Sequence, residues 1–136
     1  MERLRQPALL IAASCLFGAA ILGAGGRFVM RLLALANEMP AVFSLGGSFE
    51  VILYGAIVGL AGGIPAAILA RALRRSPLPG GLLLGLAVYS ATVATLPAHI
   101  ADTARPFVPI MPLVWSLFGL CFLLWGIAVA KVAVRG

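Results

Sequence analysis

The sequence predicts an all-α fold: an integral membrane four-helix bundle, one domain over residues 1–136, with N and C termini cytoplasmic. Three observations predict it. The chain is 62% hydrophobic and only 10% charged, against roughly 25% charged in soluble domains. Its mean hydropathy of +1.12 cannot be hidden inside a globule of this size, because a small domain has a large surface for its volume. The apolar residues also fall into four runs, each close to the roughly 20 residues that cross about 30 Å of hydrocarbon.

The first run covers residues 7–26 and follows a charged start, Met1 to Arg5. It is full length, so it reads as a retained span and not as a cleaved signal peptide. Ala12-Ala13-Ser14-Cys15 has the residue types of a lipoprotein cleavage site, but the apolar stretch before Cys15 is too short and the run continues past it. Residues 27–36 keep apolar positions at helical spacing. They predict a helix that continues the first span outward, or an interfacial helix, until Asn37-Glu38-Met39-Pro40 stops it.

The second run, 51–70, opens after the polar turn Ser44-Leu45-Gly46-Gly47-Ser48, with Ser48 as N-cap and Glu50 at the helix start. Arg71, Arg74 and Arg75 close it. Residues 76–81 (SPLPGG) read as a turn of helix breakers. The third run is 82–101 and the fourth 111–130, joined by a segment from Arg105 to Pro112 that holds three prolines. Pro65 and Pro97 lie inside spans and remove the helical donors of the Ala61 and Val93 carbonyls. Ser90, Thr92 and Thr95 supply hydroxyls near the second of these. No span carries a charge at its centre, where one would cost at least about 2.5–3.5 kcal/mol.

Lys and Arg mark the ends of the runs. Of the 10 such residues, Arg3, Arg5, Arg71, Arg74, Arg75, Lys131 and Arg135 fall on one side, and Arg27, Arg31 and Arg105 on the other. The richer side is the cytoplasmic one. An even number of spans independently puts both termini on the same side. The net charge of +6 therefore anchors helices at lipid headgroups. With no separate basic domain, nucleic acid is not an expected partner. Expected partners are the lipid bilayer and other membrane subunits or further copies of the chain.

Gly55, Gly59 and Gly63 lie four apart on one face of the second span. The first span offers Ala19, Gly23 and Arg27 at the same spacing, and the third begins with Gly81 and Gly85. Small residues let membrane helices approach closely, either within the chain or between subunits. The stretches 18–26 and 55–63 also echo one another in Gly/Ala pattern. Such an echo suits an inverted pair and also arises from composition alone.

Two polar clusters are expected on the outer side. In the first, Arg27 and Arg31 share a helix face and meet Glu50, as an ion pair or as separate interfacial anchors. In the second, His99, Asp102 and Arg105 follow at spacings of three. These supply fewer ligands than a metal site needs, so no metal or cofactor is expected. Cys15 and Cys121 read as small residues within spans. Trp115, Trp125, Tyr54 and Tyr89 are scattered, with Trp115 suited to an interface belt. No nucleophile elbow, HExxH, P-loop or Rossmann fingerprint is present, and no enzyme is expected.

Arg27-Phe28-Val29-Met30-Arg31 followed by residues 43–50 (FSLGGSFE) resembles a family of uncharacterised bacterial multi-pass membrane proteins, in which a GR-x-x-MR helix end precedes an FSLGGT-x-E turn. Ser48 stands in place of the threonine and keeps the hydroxyl. The resemblance covers residues 26–63 and implies a bacterial inner-membrane protein, without implying an activity. Small four-span exporters place an acid midway along the first span, which has none here. Fluoride channels carry motifs that Ser48-Phe49 alone does not match. The expected function is a non-catalytic structural or accessory subunit packing through glycine-rich faces. The alternative is a small transporter or channel using Arg27, Arg31, Glu50, His99 and Asp102.

Overall fold

The first apolar run forms α1 (Glu2–Phe17), a π-helical segment (Gly18–Ala24) and α2 (Gly25–Ala36) in direct succession. The computed structural model describes residues 2–36, 38, 44–95 and 111–135. The remaining helices are α3 (Leu45–Ile68), α4 (Ala70–Arg75), α5 (Pro77–Ala94) and α6 (Met111–Arg135). Four stretches are long and apolar enough to cross a membrane: Gln6–Ala36, Leu45–Ile68, Pro77–Ala94 and Met111–Arg135. Residues 27–36 thus follow the first span without a break. At about 1.5 Å per residue, the 31 residues of Gln6–Ala36 exceed the hydrocarbon thickness.

Local chemistry explains the boundaries, several of which differ from the sequence expectation, including the end of α5 at Ala94 where the third run is expected to reach 101. The cap of α3 is Ser44, not Ser48. Ser44 has extended backbone and its hydroxyl oxygen accepts from the Gly47 N–H at 3.0 Å. Ser48 already lies in the helix, and its hydroxyl donates to the Ser44 carbonyl at 2.9 Å. Residues 76–81 do not form a long turn either. Only Ser76 is non-helical, and Pro77 and Pro79 fall in the first turn of α5. There their missing N–H groups cost nothing, since first-turn donors have no helical acceptor. The helix passes through Pro65 and bends at Leu69, where α3 gives way to α4. α5 ends at Ala94, capped by Thr95, and Pro97 lies outside the described residues. The Thr92 and Thr95 hydroxyls bond the carbonyls of Val88 and Ala91, one turn back.

The π segment resolves how the first helix pairs with α3. Gly25 N–H donates to the Ala20 carbonyl, five residues back. In an α-helix, at about 100° per residue, residues five apart diverge by about 140°. The wider turn brings Gly18 and Gly23 onto one face. The seam on the first helix is therefore Ser14, Gly18 and Gly23, and not the expected Ala19, Gly23 and Arg27. A Cβ on Gly55 would lie 2.6 Å from the Gly18 carbonyl oxygen, one on Gly59 2.7 Å from Gly18 Cα, and one on Gly63 3.0 Å from Ile11 Cα. The first two have no room to form, and the third fits only where Ile11 or Ser14 gives by a few tenths of an ångström.

Gly81 and Gly85 belong to a second seam. A Cβ on Gly81 would come within 2.8 Å of the Gly126 carbonyl oxygen, and one on Gly85 within 3.0 Å of Leu123 Cα. The bundle is thus two antiparallel hairpins, the first helix with α3 and α5 with α6. They join where α1 crosses α6, around Trp125, which is 0% exposed. Leu10, Leu22, Ala66, Leu73, Leu84, Phe122 and Val129 complete that core. The outer surface stays apolar, with Ile52, Ile57, Leu60, Ile64 and Ile68 of α3 exposed. Such a surface fits lipid as its solvent.

Candidate functional site

A cavity of about 620 Å³ opens between the two hairpins, at the end of the bundle where α3 begins. Helical periodicity places its walls. Met30 and Leu33 come from α2; Glu50, Tyr54 and Val58 from one stripe of α3; Tyr89 and Thr92 from one turn of α5. On α6 the residues Met111, Val114, Trp115, Phe118 and Phe122 recur at spacings of three and four. Each stripe is an ordinary apolar helix face. The cavity exists because the pair formed by the first helix and α3 faces the pair formed by α5 and α6 without closing on it here.

The wall is rich in aromatic rings, and the Tyr89 hydroxyl on it is already engaged. Tyr89 Oη–H donates to the Trp115 carbonyl at 2.9 Å, and its ring lies 5.3 Å from that of Phe122 at 52°. The Thr92 hydroxyl is spent on Val88. Glu50 is the only carboxylate among the described lining residues, and no Lys or Arg is among them. The cavity is therefore apolar, aromatic and biased to negative charge at one point. Tyr54, Trp115 and Phe118 offer ring faces of the kind that attract cations.

The sequence expects an Arg27/Arg31–Glu50 ion pair as one alternative. Among the described residues no such pair forms. Arg27 Nη2 instead lies beside the first turn of α3, 3.8 Å from where a Cβ on Gly47 would stand. Arg31 and Glu50 are exposed. His99, Asp102 and Arg105 lie outside the described residues. Gly23, Gly55, Gly59 and Gly63 meet in the first seam, and Gly81 and Gly85 in the second. Gly126 completes the second and is not among the glycines that the spacing marks. Its only sequence signal is antiparallel register with Gly81 and Gly85. Trp115, Tyr54 and Tyr89, scattered in sequence, all reach the cavity wall.

Among the described residues no three of His, Cys, Asp and Glu come close enough to hold a metal ion. Cys15 and Cys121 are free thiols. Comparison of the chain with known protein families, with curated proteins and with solved structures finds no match. The resemblance of residues 26–63 to bacterial multi-pass proteins therefore gains no family from them.

Proposed function

We propose that the chain is a non-catalytic integral membrane protein that binds a lipophilic cation in the cavity between its hairpins, as the first step of moving it across the membrane. One observation carries this reading: an aromatic cavity of about 620 Å³ with Glu50 as its single described charge. The apolar rings exclude water and take up the hydrophobic body. The carboxylate and ring faces compensate the positive charge. We favour this reading over an accessory subunit packing through Gly-rich faces because the expected glycines pack against the chain's own helices. The Lys/Arg asymmetry and the resemblance support a bacterial inner membrane with both termini in the cytoplasm.

The test is binding of tetraphenylphosphonium to the purified protein in detergent, followed by uptake in proteoliposomes. Saturable binding is expected, weakened at least about tenfold in Glu50→Gln, as for loss of a charged partner. No saturable binding, or equal binding by Glu50→Gln, would overturn the proposal.

A further inference from the structure

α3 and α5 are consecutive spans joined through the short α4, yet they scarcely touch. Each is committed to its own hairpin partner by a glycine seam. Between them runs an open groove of about 1450 Å³, which adjoins the cavity above at Tyr54, Val58 and Thr92 but is lined by positive charge where the cavity has Glu50. Ile57, Ala61 and Ile68 form one side, and Leu83, Ala87 and Ala91 the other. At its α4 end the groove is lined by Arg71 and Arg75.

These two arginines are four residues apart, so they share a helix face where like charges repel. Both are exposed. Among the residues whose side chains are described neither has a carboxylate partner. Arg74 differs, since its Nη1 donates to Gln6 Oε1 at 3.2 Å. An apolar channel ending in two unneutralised guanidinium groups is complementary to a molecule with an apolar tail and an anionic head.

We propose that this groove is a specific site for an anionic phospholipid, with the phosphate between Arg71 and Arg75 and the acyl chains along the α3–α5 cleft. A helix of a second copy is the competing occupant, and charge argues against it. The described charges of α4 and of the end of α6 are all positive: Arg71, Arg74, Arg75, Lys131 and Arg135. Glu50 sits at the opposite end of α3. A second copy placed in the same orientation would bring more positive charge to this end, whereas a phosphodiester removes the repulsion.

The experiment is native mass spectrometry of delipidated protein titrated with phosphatidylglycerol or with phosphatidylcholine of the same acyl chains. One phosphatidylglycerol should be retained with at least about tenfold preference, since each basic residue near the surface adds a comparable attraction. The double variant Arg71→Gln/Arg75→Gln should lose the preference. Ala87→Trp, which fills the cleft, should weaken binding of both lipids. Lys131→Gln/Arg135→Gln removes the same charge outside the groove and should leave retention unchanged, which separates a site from general basicity. Equal retention of the two lipids, insensitivity to the Arg71/Arg75 change, equal loss in the Lys131/Arg135 variant, or a dimer mass that lipid does not disperse would overturn the proposal.

Discussion

The indole Nε1–H of Trp125 donates a hydrogen bond to the main-chain carbonyl of Ser14 at 3.1 Å. Ser14 in turn donates its hydroxyl proton to the Gly59 carbonyl at 2.6 Å. One short relay thus links α6, α1 and α3, and it is where the two hairpins are tied. Both side chains are fully buried. The indole also fills the space left by Gly62 of α3, where a Cβ would lie 2.9 Å from Trp125 Cζ2.

Replacing Trp125 separates the hydrogen bond from the packing. Trp125→Phe should cost about 0.5–2 kcal/mol, since interhelical hydrogen bonds in membranes are modest. Trp125→Ala should cost about 3–5 kcal/mol, because it also opens a cavity. Unfolding in mixed micelles with rising dodecyl sulfate, followed by circular dichroism, measures both. Equal losses would mean that the bond outweighs the packing.

The glycine seam makes opposite predictions for two glycines of the same helix. Gly55→Ala places a methyl 2.6 Å from the Gly18 carbonyl oxygen, and backbone cannot rotate away as a side chain can. About 1–3 kcal/mol of destabilisation is expected from overpacking. Gly46 has nothing within 4 Å of its would-be Cβ. Gly46→Ala should be neutral or stabilising by up to about 1 kcal/mol, from helix propensity. The same unfolding assay compares them, and a harmless Gly55→Ala would deny the close approach.

The π segment predicts which deletion the first helix tolerates. Removing exposed Ala20 leaves Gly18 and Gly23 four positions apart, so a regular α-helix would still present both to α3. Removing exposed Ala12 instead turns Leu10 and Ile11 by about 100° away from the seam. The Ala20 deletion should fold with near-parental stability and the Ala12 deletion should not. Yield of monodisperse protein in detergent reads the difference, and the reverse order would refute the register.

The two tryptophans should report separately on the candidate cavity. Trp115 lines it and is 40% exposed, while Trp125 is sealed in the core. A brominated lipophilic cation should quench fluorescence in the Trp125→Phe variant and leave that of Trp115→Phe nearly unchanged. Similar quenching of both would show that the probe partitions into the micelle without entering the cavity.

Much of the architecture was legible because bilayer thickness and backbone polarity leave few choices. Apolar runs of some twenty residues become helices, since lipid offers the backbone no hydrogen-bond partners. Gly55, Gly59 and Gly63 could be recognised as a packing face from their spacing alone. Gly18 could not, because α-helical periodicity points to Ala19. The register changes only through the π segment, and nothing in the pattern of small residues between Gly18 and Ala24 announces it. The start of α3 lies four residues before the position that Ser48 suggests, because Ser44 and Ser48 are both good caps and only the extended backbone at Ser44 distinguishes them.

The candidate site was less legible still. Tyr54, Tyr89 and Trp115 sit on three helices, and each alone looks like part of an ordinary lipid-facing stripe. Number, approximate length and polarity of the helices follow from hydropathy and charge, which are local properties of the chain. Which helices pair, where they leave a cavity and where a groove, depends on how closely two backbones approach. That distance is set by Gly18 against Gly55 and Gly81 against Gly126, contacts between residues far apart in sequence that only the folded bundle brings together.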